Sequence, residues 1–539
     1  MIALWIIIGY LVVLLALGFA SNYFSRGTAV DYFLASRGVG PFMLLMSLFG
    51  TTMTAFAMVG SSGEASQKGI GVYGLMASSS AIIHALCFFF VGVKLWSYGK
   101  RFGYLTQIEF FRDRFESSQI GLVLFPILVA MLFPYLLTGV LGLGSCITGV
   151  TIGAFPETFA STKGAVPAWL SQGIIVGVVL VYVFVGGVRS TMWVNTFQNV
   201  LFITLGIVAM FVISNKLGGL DGATKMVAEQ NPSLLKRTFD PKDVPKYEAA
   251  EARFKAKMAE WKTNKIGPPP KHPVAPGIGQ LEFLSYMLIP FSVATFPHLF
   301  QYYLTAKSAK SFKLSVVGHP LCIMVTWLPC VLLGVWATSA IVNGKPLLPP
   351  DVDPNKVLAM SVKNLTGPIL GGFMAASVLA TNSLDAQFLV LGNMFTNDVV
   401  RHYLGERRFT DRQLITMGRA FVVGTVIVTY VISLMEPRAV FRLGVWCFAG
   451  FASLAPLTFA ALYWRRTTKW GAYASIVAAG VSWFYLFRLS NYGQAEDFHI
   501  YGMLPVAPIT LASTLALVLV SFVTKPPSRT TIDKFFGAS

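Results

Sequence analysis

The chain has 539 residues, of which 55% are hydrophobic and only 12% are charged. Soluble globular proteins carry about 25% charged residues, so this composition excludes an ordinary soluble protein and indicates a multi-pass membrane protein. The formal net charge of +18 does not indicate a nucleic-acid partner, because the basic residues lie in short loops between apolar runs and do not form one patch.

Thirteen apolar segments are long enough to span a bilayer, which requires about 20 residues. Basic residues are concentrated in alternate loops and in the C-terminal tail. The positive-inside rule therefore predicts an external N-terminus and a cytoplasmic C-terminus. The approximate limits of the spans are 2–22, 41–60, 72–97, 119–152, 167–186, 192–214, 281–304, 314–342, 366–395, 416–435, 442–463, 470–488 and 504–523.

The second span has a composition that weakens a helix near its middle. Gly50, Thr51, Thr52 and Thr54 follow one another there, and glycine and threonine both favour a break. In lipid, a broken backbone is tolerated only where it faces a cavity, an ion or another helix, and transporters build ion and solute sites in this way. Small residues also allow close helix packing, so the residues alone leave a packing face as an equal alternative.

The fourth span contains Tyr135, followed by Thr138 and by glycines at short intervals. Small residues at such spacing predict close contact with another helix. Tyr135 faces either that interface or a cavity.

The connection over 215–280 is predicted to be an extracellular insertion, since long loops escape the charge rule. Within it, Tyr247–Asn264 is rich in helix formers and carries an apolar stripe of Phe254, Met258 and Trp261. The main interpretation is a surface helix, and the alternative is a lid or a site for a partner protein.

The seventh span contains Pro290 and Pro297, which predict a second broken helix. It lies five spans after the first broken span, as an inverted repeat of five plus five helices requires. His298 is a candidate proton carrier, but a packed, hydrogen-bonded histidine is the favoured interpretation.

The ninth span is the richest in polar side chains, with Thr381, Asn382, Ser383, Asp385 and Gln387 within about two turns. Asn382 and Ser383 offer oxygen ligands suited to a small alkali cation, and a buried Asp385 requires a cation, a proton or several donors. The alternative is a satisfied network that packs helices together.

No enzyme motif is present in the sequence. It contains no glycine-rich phosphate loop, no His/Cys metal cluster and no paired carboxylates, and its five cysteines lie in apolar segments without metal-ligand spacing. We therefore expect no enzymatic activity, no catalytic residue, no cofactor and no metal other than a transported ion.

Motifs spread over nearly the whole chain, outside 215–280, resemble the sodium:solute symporter family, in the branch of the sodium/proline symporters. Singly they are weak, but their order and intervals are specific. They are Asp31–Arg37; Gly186, Gly187, Trp193, Asn195, Thr196 and Gln198; Pro297 and His298; Asn382, Ser383 and Asp385; Thr396 to Asp398; and Ala449 to Phe451, Pro456, Trp464, Arg465, Thr468, Gly471 and Ala472.

The resemblance implies an all-α polytopic fold with thirteen transmembrane helices, built as a leucine-transporter-type five-plus-five inverted repeat with extra flanking helices. Residues 1–539 would form one transporter domain. Its parts would be a first repeat over 41–214, the extracellular insertion over 215–280, a second repeat over 281–463, and C-terminal helices with a cytoplasmic tail over 464–539.

The resemblance also implies three groups of site residues. A sodium site would use the backbone carbonyls of Gly50, Met53 and Leu379 and the side chains of Asn382 and Ser383. The solute-binding group would be Thr51, Thr52, Thr54, Phe56, Tyr135 and Phe296. The coupling group would be Asp385, Asn195 and His298.

The chain departs from the family pattern at several of these positions. Asn382 stands where the family usually has a hydroxyl residue, and Asn195 replaces an acid that some members use for a second sodium ion, so one ion per cycle is expected. Thr52 and Phe56 replace an acid and a tryptophan of the proline symporter. These changes make proline an unexpected solute.

The resemblance thus predicts a symporter in the lipid bilayer of the plasma (inner) membrane, which imports a small organic solute with sodium by alternating access. The insertion over 215–280 is its candidate contact for a partner protein. The alternatives are a proton-coupled symporter that uses Asp385 or His298, and a transporter-like sensor or scaffold that binds the solute without moving it.

Overall fold

The structure is a computed structural model that describes residues 2–22, 29–238, 244–264, 277–349, 352–380, 383–405, 408–435, 439–495 and 498–537. These residues are almost entirely helical, and one short hairpin pairs Ile341–Val342 with Lys345–Pro346. The main helices are Ile2–Asn22, Ala29–Leu34, Pro41–Thr52, Phe56–Lys68, Gly71–Phe102, Gln107–Arg114, Ile120–Thr151, Ala168–Lys216, Gly219–Gln230, Val244–Asn264, Gln280–Ala294, Pro297–Thr305, Phe312–Ala337, Val357–Leu365, Pro368–Ala380, Leu384–Met394, Phe395–Arg401, Asp411–Ser433, Val440–Ser453, Ala455–Tyr463, Lys469–Leu489, Val506–Val523 and Arg529–Phe536.

Eight helices of the described ranges are long and apolar enough to cross a membrane, and ten are if each of two bent pairs counts as one span. Two shorter apolar helices, Leu4–Ala20 and Ala168–Val181, coincide with two further predicted spans. The predicted ninth span corresponds to Pro368–Ala380 followed by Leu384–Met394. An all-α, multi-pass membrane architecture is therefore confirmed.

The distribution of side chains is that of a protein surrounded by lipid. Large apolar residues face outward, and Trp5, Val317 and Val481 are 65%, 67% and 64% exposed. Polar residues such as Asn195 and Asp385 are instead buried between helices. Burial of polar groups beneath an apolar exterior is the arrangement that a bilayer requires.

Both predicted breaks are present as bends. Pro41–Thr52 and Phe56–Lys68 meet at 51° and form the first broken helix, and Gln280–Ala294 and Pro297–Thr305 meet at 48° and form the second. Pro297 begins its helix at a position where a missing N–H costs nothing.

Gly187 divides the helical stretch Ala168–Lys216 into the two spans that the sequence predicts. Its backbone is non-helical, with φ 58° and ψ −155°. A Cβ atom at this position would lie 2.6 Å from the Tyr32 carbonyl oxygen. Only glycine accommodates both this conformation and this approach.

We call the second half of this stretch, Gly187–Lys216, the central helix. The stretch that contains it packs against Ile2–Asn22, Pro41–Thr52, Pro368–Ala380 and Leu384–Met394. It therefore connects the first broken helix with the polar ninth span.

Candidate cation and solute site

The first broken helix ends where threonine side chains compete with the backbone. The Thr51 hydroxyl donates to the Ser47 carbonyl at 2.8 Å, and the Thr52 hydroxyl donates to the carbonyls of the preceding turn. Such back-bonding weakens and bends a helix. Met53 then leaves the helical region, with φ −103° and ψ 78°.

At the break, two buried carbonyl oxygens receive no hydrogen bond from the residues that the structure describes. The Phe49 carbonyl accepts the Met53 N–H at 2.9 Å, and the Thr51 carbonyl accepts the Tyr135 hydroxyl at 2.8 Å. Among the described residues, by contrast, no N–H or O–H group donates to the carbonyl of Gly50 or of Met53. Buried backbone carbonyls are nearly always paired, so these two fit a cation that would pair them.

The ninth span supplies a third carbonyl of this kind. Leu379 is buried near the end of Pro368–Ala380, and within the described part of the chain its carbonyl also accepts no hydrogen bond. Ser383 is buried just before Leu384–Met394, and its hydroxyl oxygen accepts the Gln387 amide at 2.7 Å. Asn382, the remaining predicted ligand, lies outside the described residues.

Tyr135 joins these elements. Its hydroxyl, which donates to the Thr51 carbonyl, also lies near the side chains of Thr54 and Ser383. Its ring packs on Phe296 at the second break, with ring centroids 5.6 Å apart. One side chain therefore connects the first broken helix, the ninth span and the second broken helix.

Thr52 and Phe296 line a small cavity between the two broken helices, and its volume of about 20 Å³ is enough for about one water molecule. The cavity is partly polar, although none of the described residues that line it is acidic, lysine or arginine. Its lining is Thr52, Met76, Ser80, His84, Ile289, Pro290, Ser292, Val293, Phe296 and Phe448.

Two histidines that the sequence analysis did not single out lie here, since His84 lines the cavity and His319 contacts the lining residue Thr52. The His319 ring nitrogen Nε2 lies 3.1 Å from the Thr52 hydroxyl, and the His84 and His319 rings are 5.2 Å apart. The Nδ1 atoms of both rings are buried and make no hydrogen bond among the described residues. A polar ring within an apolar span could have marked each histidine as a candidate site residue. The sequence alone does not show that the two spans which carry these rings pack together.

Phe56 takes a different place from the one expected of a solute-binding residue. It packs in an aromatic cluster, with ring centroids 4.8 Å from Phe441, 5.0 Å from Phe448 and 5.7 Å from Trp327. It does not line the cavity. Phe56 therefore supports the cavity wall through Phe448.

The predicted coupling residues separate into two groups. Asp385 is buried within electrostatic range of Tyr10 and Tyr302, and the Asn195 amide donates to the Tyr302 hydroxyl at 3.4 Å. His298 instead lies against Tyr135, with ring centroids 6.2 Å apart, and its ring nitrogens make no hydrogen bond within the described ranges. Asp385 and Asn195 thus both lie in the surroundings of Tyr302, whereas His298 lies beside Tyr135.

A charged cluster lies beyond the ninth span, on the predicted cytoplasmic side. Arg112 forms an ion pair with buried Asp398 at 3.0 Å, and the Thr106 hydroxyl donates to the same carboxylate oxygen at 2.8 Å. Burial raises the pKa of neighbouring Glu109. Gln107, in the same helix as Arg112, donates to the Thr295 carbonyl at the second break, so this cluster is connected to the site.

Comparison with solved structures shows the fold. A Na⁺-coupled sialic acid symporter in a substrate-bound outward-open state superposes with a TM-score of 0.71, at 16% identity and over 98% of this chain and 99% of that chain. Mhp1, a nucleobase-cation-symport-1 family transporter, gives a TM-score of 0.53 at 12% identity, over 94% of this chain and 98% of its own.

Curated relatives match along the whole chain. The osmoregulated proline transporter OpuE of Bacillus subtilis is 23% identical over 535 residues, which are 98% of this chain and 96% of that protein. A sodium/proline symporter of Haemophilus influenzae is 24% identical over 541 residues, covering 98% of this chain and 95% of its own.

The family itself is shown by a sequence profile described as "Sodium:solute symporter family", which matches residues 32–479. This match confirms the resemblance predicted from the motifs. The family consists of transporters, so the expectation that the chain is not an enzyme is also confirmed. The chain belongs to the sodium:solute symporter family.

Proposed function

We propose that the chain imports a small organic solute together with sodium across the plasma membrane by alternating access. Membership of a sodium-coupled family supports sodium as the coupling ion. The solutes named for similar proteins, proline and sialic acid, are both small organic molecules. They define the class of solute to test first.

The proposed architecture is the leucine-transporter-type inverted repeat. The repeats are 41–214 and 281–463, each beginning with one of the two broken helices. With thirteen spans, the N-terminus and the 215–280 insertion are external, and the tail of 464–539 is cytoplasmic. The likeness in fold to two solved transporters supports this arrangement.

The observation that carries the proposal is the set of three buried carbonyl oxygens, of Gly50, Met53 and Leu379, which no described donor pairs. Hard cations prefer oxygen ligands, and broken helices offer carbonyls to Na⁺ in transporters. Ser383, whose side chain lies near Tyr135, adds a hydroxyl oxygen, and Asn382 adds an amide oxygen by resemblance. We assign one sodium ion to this set.

The solute site of the proposal is the cavity that Thr52, His84 and Phe296 line. Hydroxyl and imidazole groups supply hydrogen bonds there, and Phe296 and Phe448 supply apolar contact. At about 20 Å³ the cavity has room for about one water molecule, so solute binding requires its lining residues to move apart. Thr51, Thr54 and Tyr135 do not line this cavity, and they affect solute binding through the neighbouring cation ligands.

In this mechanism, sodium holds the first break in the conformation that receives solute. The cation draws the Gly50 and Met53 carbonyls toward Leu379 and Ser383, which stabilises one arrangement of the two repeats. Solute then binds between the two breaks, and the repeats rock around it. The network of Asp385, Tyr302 and Asn195 connects the ninth span, the second broken helix and the central helix during that movement.

Thermal unfolding of the purified full chain tests the ion. We expect sodium to raise Tm in a saturable manner when choline or potassium replaces it at constant ionic strength. An equal Tm in sodium, potassium and choline would refute sodium binding. L-proline and sialic acid, added with and without sodium, begin the solute screen.

Buried Asp385 favours one alternative, which is proton coupling. Uptake into proteoliposomes separates the two. Sodium coupling predicts accumulation that follows an imposed sodium gradient and is insensitive to a proton gradient, and proton coupling predicts the reverse. A solute that binds without accumulating under either gradient would indicate the sensor or scaffold.

A further inference from the structure

Asn199 is a buried amide of the central helix that contacts the first broken helix. Its side chain is only 1% exposed. Its Nδ2 atom donates a hydrogen bond to the Met46 carbonyl at 2.7 Å. Within an α-helix this carbonyl is also the acceptor for the N–H of residue 50, one turn later.

Gly50 and Asn199 interlock at this contact. A Cβ atom added to Gly50 would lie 2.2 Å from Asn199 Nδ2 and 2.8 Å from its Oδ1. Contacts this short force one partner to move. The amide therefore reaches the Met46 carbonyl only because residue 50 has no side chain.

The Gly50 carbonyl consequently lies between two anchored carbonyls. Asn199 holds the Met46 carbonyl at the start of the last turn, and Tyr135 holds the Thr51 carbonyl at its end. Glycine is the residue with the greatest backbone freedom, so an unanchored peptide at position 50 would have many orientations. The two anchors reduce that freedom before a cation binds, which lowers the cost of binding.

We propose that Asn199 is a positioning residue for the cation site, which orients the Gly50 carbonyl without touching the ion. The inference rests on the cation site proposed above. It extends that site to the central helix and assigns a function to the glycine at position 50, which is to admit the amide.

The variant Asn199→Leu tests the proposal, because leucine has the same branched arrangement of side-chain heavy atoms as asparagine and donates no hydrogen bond. The readout is the sodium concentration that gives half of the maximal rise in Tm, measured on the full chain with choline as the replacing cation. Loss of one positioning hydrogen bond predicts about a fivefold rise in that concentration. If the Asn199 amide had only a structural role, Tm would fall equally at every sodium concentration and the half-saturating concentration would be unchanged. That result would overturn the proposal.

Thr204→Val is the matched control on the same helix. Thr204 is exposed, and its hydroxyl donates only to the Val200 carbonyl of its own helix. We expect its half-saturating sodium concentration to equal that of the unmodified protein.

The interlock makes a second, independent prediction. Gly50→Ala displaces the Asn199 amide, whereas in Gly50→Ala/Asn199→Ala the added methyl group has room. The effects of the two single substitutions on half-saturation should therefore be strongly non-additive, with the double variant close to Asn199→Ala alone. Additive effects would contradict the interlock, and this comparison decides the question if Asn199→Leu fails to fold.

The outcomes separate the two proposals. An unmodified protein that does not respond to sodium overturns the cation site and this inference together. A normal response in the unmodified protein, with an unchanged half-saturation in Asn199→Leu and an additive cycle, overturns only the role of Asn199.

Discussion

The Tyr135 hydroxyl donates a hydrogen bond to the Thr51 carbonyl across 2.8 Å, and the two residues belong to helices far apart in sequence. The contact pairs one carbonyl of the broken turn and leaves the adjacent Gly50 carbonyl unpaired by any described donor. The tyrosine therefore helps to determine which oxygens of the break are available to an ion. It does so from a helix that also contacts the second break through Phe296.

Tyr135→Phe should lower the stability of the protein and weaken its response to sodium. The substitution keeps the ring and leaves the buried Thr51 carbonyl without its donor, which costs about 1–3 kcal/mol. Thermal unfolding in choline and in sodium measures both effects. Tyr430→Phe is the control, because its hydroxyl donates to the Trp169 carbonyl away from the site. An unchanged sodium response in Tyr135→Phe would separate Tyr135 from the cation site.

Ser383→Ala should reduce the sodium response more than the stability. The side-chain oxygen is a proposed ligand, and its removal leaves the three carbonyls and Asn382 to hold the ion. We expect the half-saturating sodium concentration to rise about tenfold, as for loss of one charge-assisted contact. Ser475→Ala is the control, since Ser475 pairs with Ser513 between two C-terminal helices. A sodium titration identical to that of the unmodified protein would remove Ser383 from the set of ligands.

The two helix breaks were predictable because their signals are local. Glycine and threonine at 50–54 and proline at 297 weaken a helix wherever they occur, and both bends are present in the structure. The partners of these breaks were not predictable in the same way. The position of Phe56 depends on Phe441 and Phe448, and the approach of Asn199 to Met46 depends on how two helices pack. Tertiary packing of this kind leaves no periodic pattern in a single sequence.

His84→Ala should weaken solute binding and leave sodium binding intact. His84 lines the cavity, whereas none of the proposed cation ligands is among the lining residues. For a solute that stabilises the protein in sodium, we expect the half-saturating concentration to rise about tenfold. His402→Ala is the control, because His402 is exposed and contacts the Ser118 carbonyl. A parallel loss of sodium binding would contradict separate cation and solute sites.

Phe535→Ala should release the C-terminal helix Arg529–Phe536 from the bundle. Phe535 is only 4% exposed, and its ring packs against Tyr98 and Phe102 with centroids 5.2 and 5.5 Å away. Truncation of a buried phenylalanine costs about 3–5 kcal/mol, so tryptic cleavage of this helix should accelerate at least about tenfold. Phe484→Ala, at an exposed position, should leave the cleavage rate unchanged. Equal rates in both variants would show that Phe535 does not hold the helix.

The attachment of the same helix should weaken in acid through Glu116. Burial acts to raise the pKa of Glu116, but hydrogen bonds from Ser528 and Thr531 outweigh it, and the net pKa lies below its ordinary value. A carboxyl whose pKa is lowered by folding stabilises the folded state above its unfolded pKa of about 4.3, and that contribution disappears as the pH falls through the folded pKa.

Hydrogen exchange of residues 528–536 measures this effect once the rates are corrected for intrinsic pH dependence. At pH 7 we expect faster exchange in Glu116→Gln than in the unmodified protein, and the difference should shrink steadily below about pH 4. Glu229→Gln, on the exposed face of Gly219–Gln230, should match the unmodified protein at every pH. If the difference in exchange between Glu116→Gln and the unmodified protein instead grows as the pH falls, its sign is wrong for a lowered pKa. That result would show that Glu116 does not hold the helix through its ionised form.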